Sequence, residues 1–191
     1  KTIVSFGYDF LGSSFNHDLF NQQFTKQRVV NRDKREMSRL YTFESNLSLT
    51  GANSDHRIPI KSSYSKIYIA ELWNILNSKI GSGRDSISFS KTKKSLLKLD
   101  ILNKVADDLI QNLGSSLVIS SSNDKSVQSV VIMINELLRS YGKTIDLNRC
   151  YNIRKGDDSK MAEFVTDLES KSVYGVIFLN SNPVYNHYLS S

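Results

Sequence analysis

Two hydrophobic periods alternate along the chain. Thr2 to Phe6 (TIVSF) is a short β-rich apolar run that ends at Gly7 and passes into Asp9-Phe10-Leu11-Gly12-Ser13, the pattern of a buried strand entering a turn. Phe15, Leu19, Phe20 and Phe24 then recur at helical spacing behind a Ser or Asn cap at residues 14–16, and the pattern fades into a basic stretch around Arg28 to Arg35. Arg39 to Glu44 (RLYTFE) alternates and is aromatic and β-branched, which predicts a second strand. Ile58-Pro59-Ile60 predicts a short extended piece at an edge or a strand end, because Pro59 has no N–H to give to a central ladder.

Helical spacing returns over Ser65 to Ile80, where Tyr68, Leu72, Ile75, Leu76 and Ile80 share a face with Trp73 beside them. Gly81 to Lys94 (GSGRDSISFSKTKK) is rich in Ser, Gly and Lys without a period, and reads as an exposed, mobile loop. From Leu96 to Leu113 a helix is expected with Leu102, Val105, Ala106, Leu109 and Leu113 on one stripe, stopping at Gly114. Leu117 to Ser120 predicts a buried strand. A helix capped by Ser122 or Asn123 follows, carrying Val127, Val130, Val131, Ile134, Leu137, Leu138 and Tyr141 and ended by Gly142. Asp157 or Asp158 can cap a further helix with Met161, Phe164, Val165 and Leu168. Val173 to Leu179 (VYGVIFL), nearly continuous in apolar residues, reads as a strand buried on both faces.

Such strands, separated by helical stretches, imply an α/β fold: a doubly wound, mostly parallel sheet with helices on both faces, Rossmann-like in type. Residues 1–191 are read as one domain. The chain starts without Met inside an expected strand, so it is read as a piece of a longer polypeptide. In doubly wound sheets ligands sit beyond the carboxyl ends of the strands. That rule directs attention to the loops at residues 7–13, 44–46, 120–123 and 180–185.

Composition narrows the picture further. With 39% hydrophobic and 10% aromatic residues the chain can build a core, and no apolar run approaches the roughly 20 residues of a membrane span. A single cysteine, Cys150, excludes an internal disulfide or a thiolate cluster within these residues. The net charge of +6 comes from two basic clusters, Lys26, Arg28, Arg32, Lys34, Arg35 and Arg39, and then Lys91, Lys93, Lys94 and Lys98. The first is interrupted by Asp33 and Glu36 and lacks interleaved aromatics, so it reads as a solvated face or one turned to an acidic partner, with no nucleic acid partner expected.

The usual chemical signatures are missing. The loop after the first strand is GYDFLGS, with Tyr8, Asp9 and Phe10 where a phosphate loop needs glycines. The histidines, His17, His56 and His187, lie far apart, and no G-x-S-x-G is present, so neither a metal site nor a catalytic residue is assigned. The triplet Asp55-His56-Arg57, on a Gly-Ala-Asn-Ser turn, looks like chemistry but reads as structural: Asp55 tying the turn through backbone amides, His56 and Arg57 anchoring the next segment or facing a neighbouring domain.

The segments IVSFGYDFLGS, LYTFESNLSLTGANSDHRIPIK, SLVISSSNDKSVQSVVIMINELLRSYGKTID and VYGVIFLNSNPVYN, in that order, resemble the large subunit family of molybdopterin-dependent oxidoreductases, over the whole chain. The part resembled is the Rossmann-like domain that grips one pterin guanine dinucleotide. The wording of ESNLSLTGANSDHRIPIK and of NSNPVYN is more similar to a cofactor-poor branch, the B subunit of bacterial alternative complex III, which oxidises quinol. Against the catalytic members, Gly7-Tyr8-Asp9 replaces Gly-x-Asn, Glu44-Ser45-Asn46 replaces Asp-Pro-Arg, KSSYSK after Ile60 replaces a Pro-Gly-Thr-Asp turn, and Ser120-Ser121-Ser122 stands where glycine is common. An acid at Asp9 and the loss of Arg at Asn46 both oppose a diphosphate, whereas Glu44 keeps an acid suited to a ribose hydroxyl.

The resemblance implies a non-catalytic scaffold domain, with Gly7, Asp9, Glu44, Asn46, Ser120, Ser121 and Asn182 as a vestigial cofactor surface and Asp55, His56, Arg57 and Pro183 structural. No cofactor is expected within these residues, and iron-sulfur clusters belong to the parent chain. The implied partners are other domains of that parent and other subunits of a membrane respiratory complex, at the periplasmic face of the bacterial inner membrane, without direct insertion. The alternative is the dinucleotide-binding domain of an active molybdenum or tungsten oxidoreductase, with molybdopterin guanine dinucleotide on those loops.

Overall fold

A computed structural model describes residues 1–88, 97–149 and 156–186. The chain divides into two compact units, Lys1–Arg149 and Cys150–Ser191.

The first unit holds an all-parallel sheet of β1 (Thr2–Phe6), β2 (Arg39–Glu44), β3 (His56–Pro59) and β4 (Ser116–Ser120), in the order β3-β2-β1-β4. Around it run α1 (His17–Arg28), the one-turn α2 (Leu49–Ala52), α3 (Ser65–Ile80), α4 (Leu99–Gln111) and α5 (Lys125–Leu137). This is the doubly wound, Rossmann-like α/β architecture. Strand alternation sorts the side chains: Val4, Phe6, Tyr41, Phe43 and Val118 lie in one core with α3, α4 and α5, while Ile3, Leu40 and Ile119 pack on the α1 side. The Phe6 and Phe43 rings stack across β1 and β2 at 4.8 Å, and Trp73 and Tyr68 of α3 close over them in the same core.

Local chemistry sets the element ends. Pro59 closes β3, which is an edge strand, where a missing N–H costs the ladder nothing. Gly81 ends α3 in the left-handed conformation, φ +69°. Asp124, one residue beyond the expected caps, accepts from the amide of Ser126 at 2.8 Å to start α5. That helix stops at Leu137, before Gly142, with Arg139 in a left-handed conformation of φ +57°. The one-turn α2 is too short to carry a period, and only its cap marks it: Ser48 Oγ accepts from Gly51 N at 2.9 Å.

The described part of the stretch after α3 is an exposed loop tied to that helix. Residues 81–88 have no regular element, yet bonds with α3 side chains strap them to that helix, among them Trp73 Nε1 to Asp85 O at 3.1 Å, Asn74 Nδ2 to Ile87 O at 2.9 Å, Ile87 N to Asn74 Oδ1 at 2.7 Å and Asn77 Nδ2 to Arg84 O at 2.6 Å. The remainder of that loop, with Lys91, Lys93 and Lys94, lies outside the described residues, as do Cys150 and His187.

The outer edge of β4 is closed by side chains. The ladder to β1 uses Ser115 O, which accepts from Thr2 N, and Ser121 N, which donates to Phe6 O, so alternation turns the polar groups of Ser116, Val118 and Ser120 outward. Buried Asn135 of α5 accepts from Val118 N at 2.9 Å and donates to Val118 O at 2.7 Å, as a neighbouring strand would. Ser140 and Thr144 donate to Ser116 O, and Gln128 to Ser120 O. This edge offers few free groups to another strand.

The second unit contains α6 (Asp158–Glu169) and the one-turn α7 (Pro183–Asn186). Asp157 caps α6 by accepting from Lys160 N at 3.1 Å. Val173–Leu179, expected to be a strand, is not one. Ile177 is 94% and Leu179 82% exposed. An apolar run of this length states a wish for burial, but a strand also needs a partner ladder, and no strand occurs among the described residues of this unit. The Asn180–Tyr185 loop therefore does not follow a strand. Asn182 and Pro183 instead start α7, with Pro183 at its first position and Asn182 Oδ1 accepting from Tyr185 N at 3.2 Å.

Candidate functional site

The loops after β1, β2 and β4 converge on a cavity of about 430 Å³ at the carboxyl ends of the strands. Its lining includes Gly7, Glu44, Ser121, Ser122, Ser62 and Lys66. Gly7 is constrained twice: its φ is +70°, and a Cβ there would come within 2.9 Å of Ser121 Oγ. Of the residues expected to form a cofactor surface, Gly7, Glu44 and Ser121 meet at this cavity. Asp9, Asn46 and Ser120 are not among its lining residues, and Asn182 belongs to the second unit. Lys66, in the first turn of α3, was not singled out in the sequence, because one lysine in KSSYSK has nothing to distinguish it.

The two acids at the strand ends are engaged within the protein. Asp9 Oδ1 accepts from the amide of Thr50 at 2.9 Å and its hydroxyl at 2.8 Å, and Oδ2 accepts from Ser13 N at 3.0 Å. Burial pushes the Asp9 carboxyl up, but the bonds from Thr50 and Ser13 outweigh it and hold the group below its usual range. Thr50 is fully buried and also takes Leu11 N at 3.0 Å, so Asp9 joins the β1 loop to α2. Glu44 is 5% exposed. Its Oε1 accepts from Arg57 Nε at 2.6 Å and its Oε2 from Ser48 Oγ at 2.6 Å. Gly51 packs so closely that a Cβ would come within 1.9 Å of Glu44 Oε1.

The Asp55-His56-Arg57 side chains go to three different places. Asp55 forms a two-pronged pair with Arg28 of α1, at 2.7 and 2.8 Å, and accepts from Leu40 N at 2.8 Å. The Arg28 guanidinium holds the Asp55 carboxyl below the usual range against partial burial. His56 stacks on Tyr41 with ring centroids 4.8 Å apart and has Lys104 Nζ 3.5 Å from Nε2. Arg57 reaches Glu44. Strand alternation sends His56 and Arg57 to opposite faces, so the triplet holds α1, β2 and α2 in register and cannot converge on one substrate atom.

Sequence reasoning also missed a cluster at the opposite end of the sheet. Asp108 of α4 accepts from the Tyr41 hydroxyl and pairs with Arg39. Burial and the adjacent Asp108 raise the Tyr41 hydroxyl to about 12. These residues are distant in sequence and alternate positions on β2 hide their shared partner. Among the described residues no group of three or more His, Cys, Asp or Glu is arranged to hold a metal ion.

Neither protein-family models nor curated proteins match the chain.

Proposed function

We propose that this chain is a non-catalytic scaffold domain of a molybdopterin-oxidoreductase-like iron-sulfur subunit in a quinol-oxidising electron-transfer complex. One observation carries the reading: the carboxylates at the strand ends are consumed by the fold's own bonds. Glu44, the acid suited to a ribose hydroxyl, is buried against Arg57 and Ser48, and Asp9 is taken by Thr50 and Ser13. The residues present do not fit a pterin guanine dinucleotide. Glu44 and Asp124 line the cavity, and among the described residues Lys66 is its one lining cation and no arginine is there to fork a diphosphate.

In this role the domain positions the cluster-bearing part of its parent chain and binds neighbouring subunits of a membrane respiratory complex at the periplasmic face of a bacterial inner membrane. It holds no cofactor itself. The second reading, a dinucleotide-binding domain of an active molybdenum or tungsten oxidoreductase, is favoured by the cavity itself, with Lys66 and the hydroxyls of Ser62 and Ser121 along its wall. The two separate by thermal denaturation with and without GDP, together with molybdenum, tungsten and iron analysis of the parent chain. The scaffold reading requires no shift with GDP, and iron without molybdenum or tungsten. Stabilisation by GDP, or stoichiometric molybdenum or tungsten, overturns it.

A further inference from the structure

We propose that the half-covered sheet face beside α1 is a docking groove for an acidic amphipathic helix of a partner chain. One face of the sheet is closed by α3, α4 and α5, leaving Val4 and Val118 at 0% exposure. The other carries α1, which packs on Leu40, Phe10 and Leu11. Ile3, Leu117 and Ile119 on that side are only half-buried. Between them and α1 runs a groove of about 760 Å³, with Ile3, Leu117 and Ile119 as floor and Phe20, Phe24 and Tyr8 as wall.

The charged side chains that line this apolar strip are cationic among the described residues. Lys1, Lys26 and Lys143 line the groove, and among the described residues no Asp or Glu does. Lys1 pairs with Glu36, whereas Lys26 and Lys143 have no carboxylate partner among the described residues. An occupant with an apolar stripe and flanking acids satisfies both features. A helix fits where a strand does not: strand addition needs a free edge, and that of β4 is occupied by Asn135, Ser140, Thr144 and Gln128. Packing a helix on the open half of the face also completes the layer that doubly wound sheets build on both sides.

This inference rests on the scaffold reading, since a scaffold has to hold its neighbours. The test measures fluorescence anisotropy of a synthetic amphipathic helix of about four turns, Leu on one face and Glu on the flanks, titrated with the full chain. A twin peptide with Lys on the flanks is the control. The expected result is micromolar binding of the Glu-flanked helix, at least about tenfold tighter than its Lys twin and weakening with salt. The double variant Lys26→Glu and Lys143→Glu, at exposed positions that leave the core intact, reverses the preference. Equal binding of both helices, no binding of either, or an unchanged preference in the double variant overturns the proposal. So does sedimentation showing that a second copy of the chain covers the groove. GDP binding at the strand ends would sink the scaffold reading while leaving the peptide result to stand or fall alone.

Discussion

Asn135 tests the edge of the sheet. It is 3% exposed, and its amide makes both bonds to Val118 that a fifth strand would make, plus one to Val131 O at 3.0 Å. Replacing it by Leu keeps a side chain of similar size but leaves the amide and carbonyl of fully buried Val118 without partners. Each orphaned buried group costs about 1–3 kcal/mol, so the substitution should destabilise by about 2–5 kcal/mol, a large share of the ~5–15 kcal/mol typical of a domain. Val131 O loses little, being a helix carbonyl with its own amide partner. Urea denaturation reads the loss as a lower midpoint at unchanged slope. Hydrogen exchange adds a local readout, because the Val118 amide should lose far more protection than its neighbours. Asn135→Asp sharpens the sign: the carboxylate accepts from Val118 N but has no proton for Val118 O. Its pKa is then raised in the folded state, so its deficit against the parent grows as pH rises above about 4 and shrinks below it. An Asn135→Leu variant within about 0.5 kcal/mol of the parent, with Val118 still protected, would refute the edge-capping argument.

Two further outcomes are expected. Gly51→Ala forces a methyl to within 1.9 Å of Glu44 Oε1 and should cost about 1–3 kcal/mol, whereas in a Glu44→Ala background the same change should cost almost nothing; a double-mutant cycle without coupling would disprove the contact. The Asp55 carboxyl sits below its usual range when folded, so its contribution is present above the unfolded value of about 3.9 and is lost as pH falls through the folded one. Thermal melts from pH 6 down to about 2.5 should therefore fall less steeply for Asp55→Asn than for the parent, and parallel slopes would remove the Arg28 pair from the account.

Much of the framework was legible from local pattern. TIVSF and RLYTFE became β1 and β2 over the same residues, LVIS lies within β4, and Ser65 to Ile80 is α3 end to end, since burial periodicity and end signals act within a few residues. Pro59 was readable as an edge marker because a missing donor breaks a central ladder and is harmless at an edge. Position alone could not reveal α2, whose four residues carry no period, or the absence of a strand at Val173–Leu179, whose pairing depends on a partner elsewhere.

For the strand-end residues the division lies in who bonds to whom. The types and spacing of Asp9, Glu44, Asp55, His56 and Arg57 showed acids and cations at strand ends, and the lack of glycines in GYDFLGS showed a poor phosphate loop. Only the tertiary structure decided that Thr50 and Ser13 take Asp9, that Arg57 and Ser48 take Glu44, and that Arg28, 27 residues away, takes Asp55. A carboxylate looks the same in sequence whether it awaits a ligand or holds its own chain together. Hydrogen bonds reach about 3 Å, and folding alone determines which distant residues come that close.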